Sequence, residues 1–229
     1  MSSPAQPRAL RHVVVLAHPD PHSFNGAMAG TYCDVVQACG QEVVLRDLYA
    51  IGFDPVLRKD ERPDRAGFAR HRDVADELKL IAGADVLALI YPIWFGTAPA
   101  ILKGYVDRVL GSGVTAAAVQ DRAGSGLLNG ARLVSLTSSA ARGPWLAEVG
   151  QEISLRNVFD HYLEHGFGMR KAEHLHFGGV IEGLSSRFVD QNLYEVRERV
   201  RKLCAAVAAE ARSRNDYVQF RTETSARSA

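Results

Sequence analysis

Four short apolar runs punctuate the chain: His12–Ala17 (HVVVLA), Glu42–Asp47 (EVVLRD), Asp85–Tyr91 (DVLALIY) and Arg132–Thr137 (RLVSLT). They are too short for helices, rich in Val and Leu, and mostly uninterrupted by polar residues. Such runs predict strands buried on both faces. Glu173–Phe177 is a weaker fifth strand. Between them the apolar spacing changes to that of helices. Helices are predicted from Asn25 to Cys39, ahead of the stop signal Gly40, over Val74–Ile81, and over Ala100–Leu110, where Pro99 suits the first turn. Two more are predicted over Glu148–His165 and Arg187–Arg212; the latter has apolar positions at Phe188, Leu193, Val196, Val200, Leu203 and Val207.

Strands that alternate with helices predict an α/β fold, a doubly wound five-stranded parallel sheet with helices on both faces. Ligands on such sheets bind beyond the carboxyl ends of the strands, where strand order reverses. The loops after the first, third and fourth strands are therefore the candidate site. Residues 1–11 read as a disordered leader, 12–212 as one domain and 213–229 as a polar tail. Residues 49–72 and the glycine-rich stretch 111–130 read as long loops.

Composition adds exclusions. Lys and Arg number 27 against 26 Asp and Glu, a net charge of +1. That balance does not point to nucleic acid or a membrane surface. No apolar run reaches the roughly 18 residues of a membrane span, and the leader lacks the apolar stretch of a signal peptide. A cytoplasmic location is the expectation. Cys33, Cys39 and Cys204 form no disulfide framework or zinc ribbon, and the first two are expected to be buried as small hydrophobes.

The first loop runs through His18, Ser23, Phe24 and Asn25 (HPDPHSFN) and leads into a helix. A helix start offers unpaired N–H groups and a positive dipole end, suited to a phosphate. Ser23 or Asn25 acting simply as the helix cap is the alternative, and both readings stand. Neither a dinucleotide-binding GxGxxG turn nor a P-loop is present here. The loop after the third strand holds Pro92, Ile93, Trp94 and Phe95. Its two adjacent aromatics sit in a segment bounded by Pro and Gly, where both cannot easily enter one core.

The segments AHPDPHSFN (Ala17–Asn25) and YPIWFGTAPAILKGYVDRV (Tyr91–Val109) resemble the signatures of the NAD(P)H:quinone reductase family, which has a flavodoxin-like fold; GLLNG (Gly126–Gly130) agrees with it. The likeness covers about residues 12–180. It implies a flavoprotein that passes a hydride from NAD(P)H, by way of bound flavin, to a quinone or similar flat acceptor, in two half-reactions at one site. FAD is the expected cofactor, because the first loop resembles the FAD-binding branch; FMN is the alternative. By the same resemblance, His18, Ser23, Phe24 and Asn25 hold the flavin phosphate. Pro92, Ile93, Trp94 and Phe95 wrap the ring, and Thr137, Ser138 and Ser139 meet the ring edge. A homodimer is expected, with 49–72 and 111–130 as candidate contacts. An azo-, nitro- or flavin-reductase, a flavin-binding regulatory subunit of a membrane transporter, and an electron carrier are the other readings.

Two departures stand out. Where the family often carries glycines after a Thr-Thr pair, this chain has Ser139 and Ala140. The loop 111–124 also lacks the tyrosines that animal members place over the flavin, and no histidine aligns with their relay histidine. No side chain stands out as acid or base; Arg142 is a candidate for neutralising developing charge. His161 and His165, four apart on a helix, lack a third metal ligand and read as solvated. His174 and His176 share one face of a strand and read as structural. Gly124-Ser-Gly126 precedes a strand instead of following one, so it is no nucleotide turn, and Ser138–Ser139 lacks a hydrolase elbow.

Overall fold

The apolar runs become the centre of the sheet. β1 (Arg11–Leu16), β3 (Val86–Pro92) and β4 (Arg132–Ser139) are almost wholly buried. β2 (Glu42–Asp47) and β5 (Arg170–Gly178) flank them, and as edges they tolerate more polar residues. The computed structural model describes residues 8–121, 126–141 and 150–227, without the side chains of 151–152, 171–172 and 214–227. All strand pairs are parallel, in the order β2-β1-β3-β4-β5. The five-stranded α/β expectation is borne out.

Alternate residues face opposite layers. Val14, Leu16, Ala88, Ile90, Val134 and Leu136 pack beneath α1 (Phe24–Ala38) and α7 (Ser186–Arg227). α7 meets them with Val196, Val200, Leu203 and Val207, a stripe at helical spacing. Val13, Val15, Leu87, Leu89, Tyr91 and Leu133 face the other layer. There Ile81 of α2 (Arg72–Ile81), Leu102 and Tyr105 of α3 (Ala100–Tyr105), and Leu155, Phe159 and Leu163 close the core. The last three belong to α5 (Gln151–Leu155), α6 (His161–Gly166) and the π-wound turn Arg156–Asp160 that joins them.

The chain leaves β1 for β2 on one side and reaches β3 on the other. Strand order therefore reverses between β1 and β3, and a crevice opens above their carboxyl ends.

Several boundaries differ from expectation. The loop 111–130 contains a short helix, α4 (Ala116–Gln120), capped where Thr115 Oγ1 accepts from Ala118 N–H at 3.2 Å. β5 is longer than its sequence signal because pairing to β4 orders polar residues at both ends. α7 continues to Arg227, through the stretch expected to be a frayed polar tail. Arg8 bonds Gly83 O at 2.7 Å and Asp85 at 2.9 Å, so the supposed leader is tied down from Arg8 onward; residues 1–7 lie outside the described ones. Cys39 is exposed at the end of α1 and Cys33 is half-buried, because the helix turns both away from the deepest core. Burial pushes the Cys33 thiol up to about 11 and that of Cys204 up to about 12.

The charged segment 53–73 is held by one buried cation. Arg108 sits in the π-wound turn Val106–Leu110 that extends α3, its side chain fully buried. It bonds Glu61 at 2.7 Å, pairs with Asp73 at 2.8 Å, donates to Asp54 O, and lies 5.4 Å over the Phe53 ring. Burial alone pushes the Glu61 carboxyl up; the bonds from Arg108 and from Arg58 N–H outweigh it and hold it below the usual carboxylate range. A depressed carboxylate contributes stability that is complete above its unfolded value and lost as the pH falls through the folded one. Replacing Arg108 with Met leaves the Glu61 carboxylate buried without its cation, and is expected to cost about 3–5 kcal/mol in urea unfolding at neutral pH. The deficit should shrink as acid protonates Glu61; an unchanged urea midpoint in the variant would contradict this role.

Candidate active site

A cleft of about 670 Å³ occupies the crevice above β1 and β3. Its walls are the loop before α1, the helix's first turn, Pro92–Trp94, Ser138–Ala140 and Val180–Leu184.

The first loop is organised by its own polar groups. Asp20 N–H donates to His18 Nδ1 at 3.0 Å, and His22 N–H donates to Asp20 Oδ1 at 2.8 Å. The same Nδ1 lies 3.0 Å from Asp20 O, so its role follows the tautomer; where it accepts, Nε2 is left to donate. Ser23 caps α1, its Oγ accepting from Gly26 N–H at 3.1 Å. Gly26 is required by close approach: a Cβ there would sit 2.3 Å from Pro21 O. Asn25 is no cap. Its side chain reaches β4, where Ser138 Oγ donates to Oδ1 at 2.6 Å, while the buried Nδ2 has no partner among the described residues. An unpaired buried amide donor costs about 1–3 kcal/mol, and Asn25 is one of the residues of the cleft wall. Phe24 is mainly a core residue, edge-on to Phe177 at 5.6 Å, with part of it on the cleft.

The second loop is a tight hairpin. Trp94 N–H donates to Thr97 O at 3.0 Å and Thr97 N–H returns to Trp94 O at 3.2 Å. Phe95 (φ 49) and Gly96 (φ 85) occupy its two central positions, both left-handed, as a type I′ turn demands. Trp94 lines the cleft, its ring 5.8 Å from that of His18. Phe95 does not line it: the turn projects the ring outward, fully exposed at 107%. A bulky residue at positive φ is strained, which marks a constraint other than folding.

In the third loop Ser138 and Ser139 line the cleft and Thr137 does not. Strand alternation turns Thr137 inward, where its hydroxyl meets His174 Nε2 at 2.7 Å and His176 Nδ1 at 2.9 Å. Arg142 lies outside the described residues. Thus the structure gathers His18, Ser23, Phe24, Asn25, Pro92, Ile93, Trp94, Ser138 and Ser139 around one cleft and leaves Phe95 and Thr137 off its wall. Sequence reasoning missed Val180–Leu184, although the Gly178–Gly179 break after the fifth strand placed that segment at the same end of the sheet.

Asp20 and Glu182 are the charged groups among the described lining residues, with no lysine or arginine. A phosphate there would depend on the helix dipole, backbone N–H groups and neutral donors. A cleft of this size, with flat apolar area at Trp94 and an unpaired donor at Asn25, suits a flat, acceptor-edged ring with an anionic tail. Among the described residues no group of side chains could hold a metal ion, and no helix is long and apolar enough to cross a membrane. His161 and His165 are exposed.

The flavodoxin-like fold family matches residues 11–218. An uncharacterized NAD(P)H oxidoreductase of Haemophilus influenzae is 31% identical over 172 residues, spanning 75% of this chain and 85% of that protein. A ribosyldihydronicotinamide dehydrogenase (quinone) of Pongo abelii is 31% identical over 175 residues, spanning 67% and 73%. Among solved structures, the NAD(P)H:quinone oxidoreductase from Methanothermobacter marburgensis superposes with a TM-score of 0.72 at 26% identity, over 86% of this chain and 96% of that one.

The strained turn gives a direct test. Asn tolerates left-handed backbone that Phe resists, so Phe95→Asn is expected to stabilise the chain by about 1 kcal/mol. A lowered thermal midpoint would contradict the strain.

Proposed function

This chain belongs to the flavodoxin-like fold family, and from that premise we propose that it is a flavin-dependent NAD(P)H oxidoreductase acting on a quinone or similar flat acceptor. The observation that carries the proposal is Asn25 in the wall of the switch-point cleft, its buried Nδ2 without a partner among the described residues. Its missing acceptor is supplied by bound flavin, FAD in the first instance and FMN as the alternative. The first turn of α1 with His18 and Ser23 holds the phosphate portion. Pro92, Ile93 and Trp94 bear the flat ring, and Ser138 and Ser139 face its edge.

The flavin supplies the hydride chemistry. The chain binds, orients and excludes water. His18 and Trp94 narrow the cleft between the first and second loops. NAD(P)H and acceptor take turns in this cleft, which is ping-pong behaviour. Phe95 is exposed at the turn beside Trp94, off the cleft wall, and a partner chain of a homodimer would cover it.

The purified protein is expected to be yellow, or to become so with added FAD, and to bleach with NADH or NADPH in the absence of oxygen. Asn25→Ala removes one donor to the flavin and should weaken its binding about tenfold, the worth of one hydrogen bond. A protein that stays colourless in excess FAD and FMN, with no uptake of either by calorimetry, overturns the proposal.

A further inference from the structure

Behind the cleft, the sheet face turned toward α5 and α6 stops being apolar. Ser135, Thr137 and Ser139 follow one another on that face of β4, and His174 and His176 on β5. The register sets Ser135 beside His174 and Thr137 beside His176. Asp160, 1% exposed, enters from the π-wound turn between the helices.

These six side chains touch in series. Ser135 Oγ donates to Asp160 Oδ1 at 2.7 Å, and Asp160 Oδ2 meets His174 Nδ1. His174 Nε2 meets Thr137 Oγ1 at 2.7 Å, and Thr137 Oγ1 meets His176 Nδ1 at 2.9 Å. His176 Nε2 meets Ser139 Oγ at 3.0 Å, and Ser139 lines the cleft. Burying so many polar groups where the rest of the sheet packs Val and Leu is costly unless every link is satisfied.

Donor accounting allows one complete arrangement with both imidazoles neutral over an ionised Asp160, and further ones that carry one more proton. With both imidazoles neutral, every proton points inward: Ser139 to His176, His176 to Thr137, Thr137 to His174, His174 to Asp160. One added proton held at His174 reverses the links between His174 and Ser139, so that the Ser139 hydroxyl points away from His176. The contact of Ser139 Oγ with Ala141 O at 3.0 Å is such an outward orientation.

We propose that this row is a proton relay serving the cleft, an inference that rests on the oxidoreductase reading above. NAD(P)H, a quinone and one proton give NAD(P)⁺ and the hydroquinone, so the reaction consumes one proton. Ser139 O–H gives its proton to the acceptor. His176 Nε2–H refills Ser139, Thr137 refills His176 Nδ1, and His174 Nε2–H refills Thr137. The row ends in the neutral, inward arrangement, with Asp160 ionised and one positive charge lost. His176, partly exposed, is where the proton returns from solvent. Among the described residues, the other polar groups facing the row include Arg156, whose Nη2 reaches His174 O at 3.4 Å, and the phenol of Tyr91, kept protonated by burial and by the Asp160 charge. Glu173 and Arg199 border His174 on the α7 side.

The test uses the full chain without and with flavin. In flavin-free protein, imidazole ¹⁵N shifts of His174 and His176 should move together through a linked titration, and Thr137→Val, which keeps both rings, should separate them. Ser139→Ala should change the Nε2 shift of His176 alone. In flavin-loaded protein, Thr137→Val should slow the acceptor step about a hundredfold, the low end of what a positioned proton donor contributes, without changing flavin affinity. Independent titration of the two histidines in the unaltered protein, or an acceptor step unmoved by both substitutions, overturns the relay. Failure to take up flavin overturns the oxidoreductase reading instead, and the ¹⁵N measurement is read without flavin.

Discussion

The cleft exists because a parallel sheet cannot be wound in two directions without opening a seam. β1 sends its chain outward to β2, and β3 takes up the chain on the opposite side of β1. Where the two connections part, a crevice opens above the carboxyl ends of β1 and β3. Everything proposed to bind does so in that gap. The first loop supplies a helix start, the hairpin at Trp94 supplies flat area, and the end of β4 supplies hydroxyls.

The same architecture explains where the fold accepts polar cost. Arg108 is buried among carboxylates so that a charged, irregular segment can lie against α3. Its value is positional, because a buried pair of this kind contributes little net stability compared with apolar packing. The row from Asp160 to Ser139 is a second exception, and unlike Arg108 it leads to the cleft. Asn25 and Phe95 are the third and fourth: an unpaired donor and a strained aromatic, both beside the gap. Departures of this kind from ordinary folding rules mark function more reliably than the rules themselves.

Sheet, helices and the end of the sheet that carries the cleft were legible because β1, β3 and β4 are uninterrupted apolar runs and α7 keeps a strict stripe. Side-chain direction was not. Motif position placed Thr137 and Phe95 in the site, but strand alternation turned the first toward β5 and a type I′ turn threw the second into solvent. Val180–Leu184 carries no motif and became a wall only through the β5 register. His174 and His176 were visible as a same-face pair; that Ser135, Thr137 and Asp160 complete the row depends on β4–β5 pairing and a π-wound turn, neither written locally.

The proposed flavin ring lies against Trp94. The chain has two tryptophans, Trp94 and Trp145, so Trp145→Phe leaves Trp94 as the sole indole reporter. Titrating that flavin-free variant with FAD and with FMN should quench its emission strongly, saturating at one flavin per chain. Emission that stays bright while calorimetry registers saturating flavin uptake would place the ring elsewhere and contradict the account.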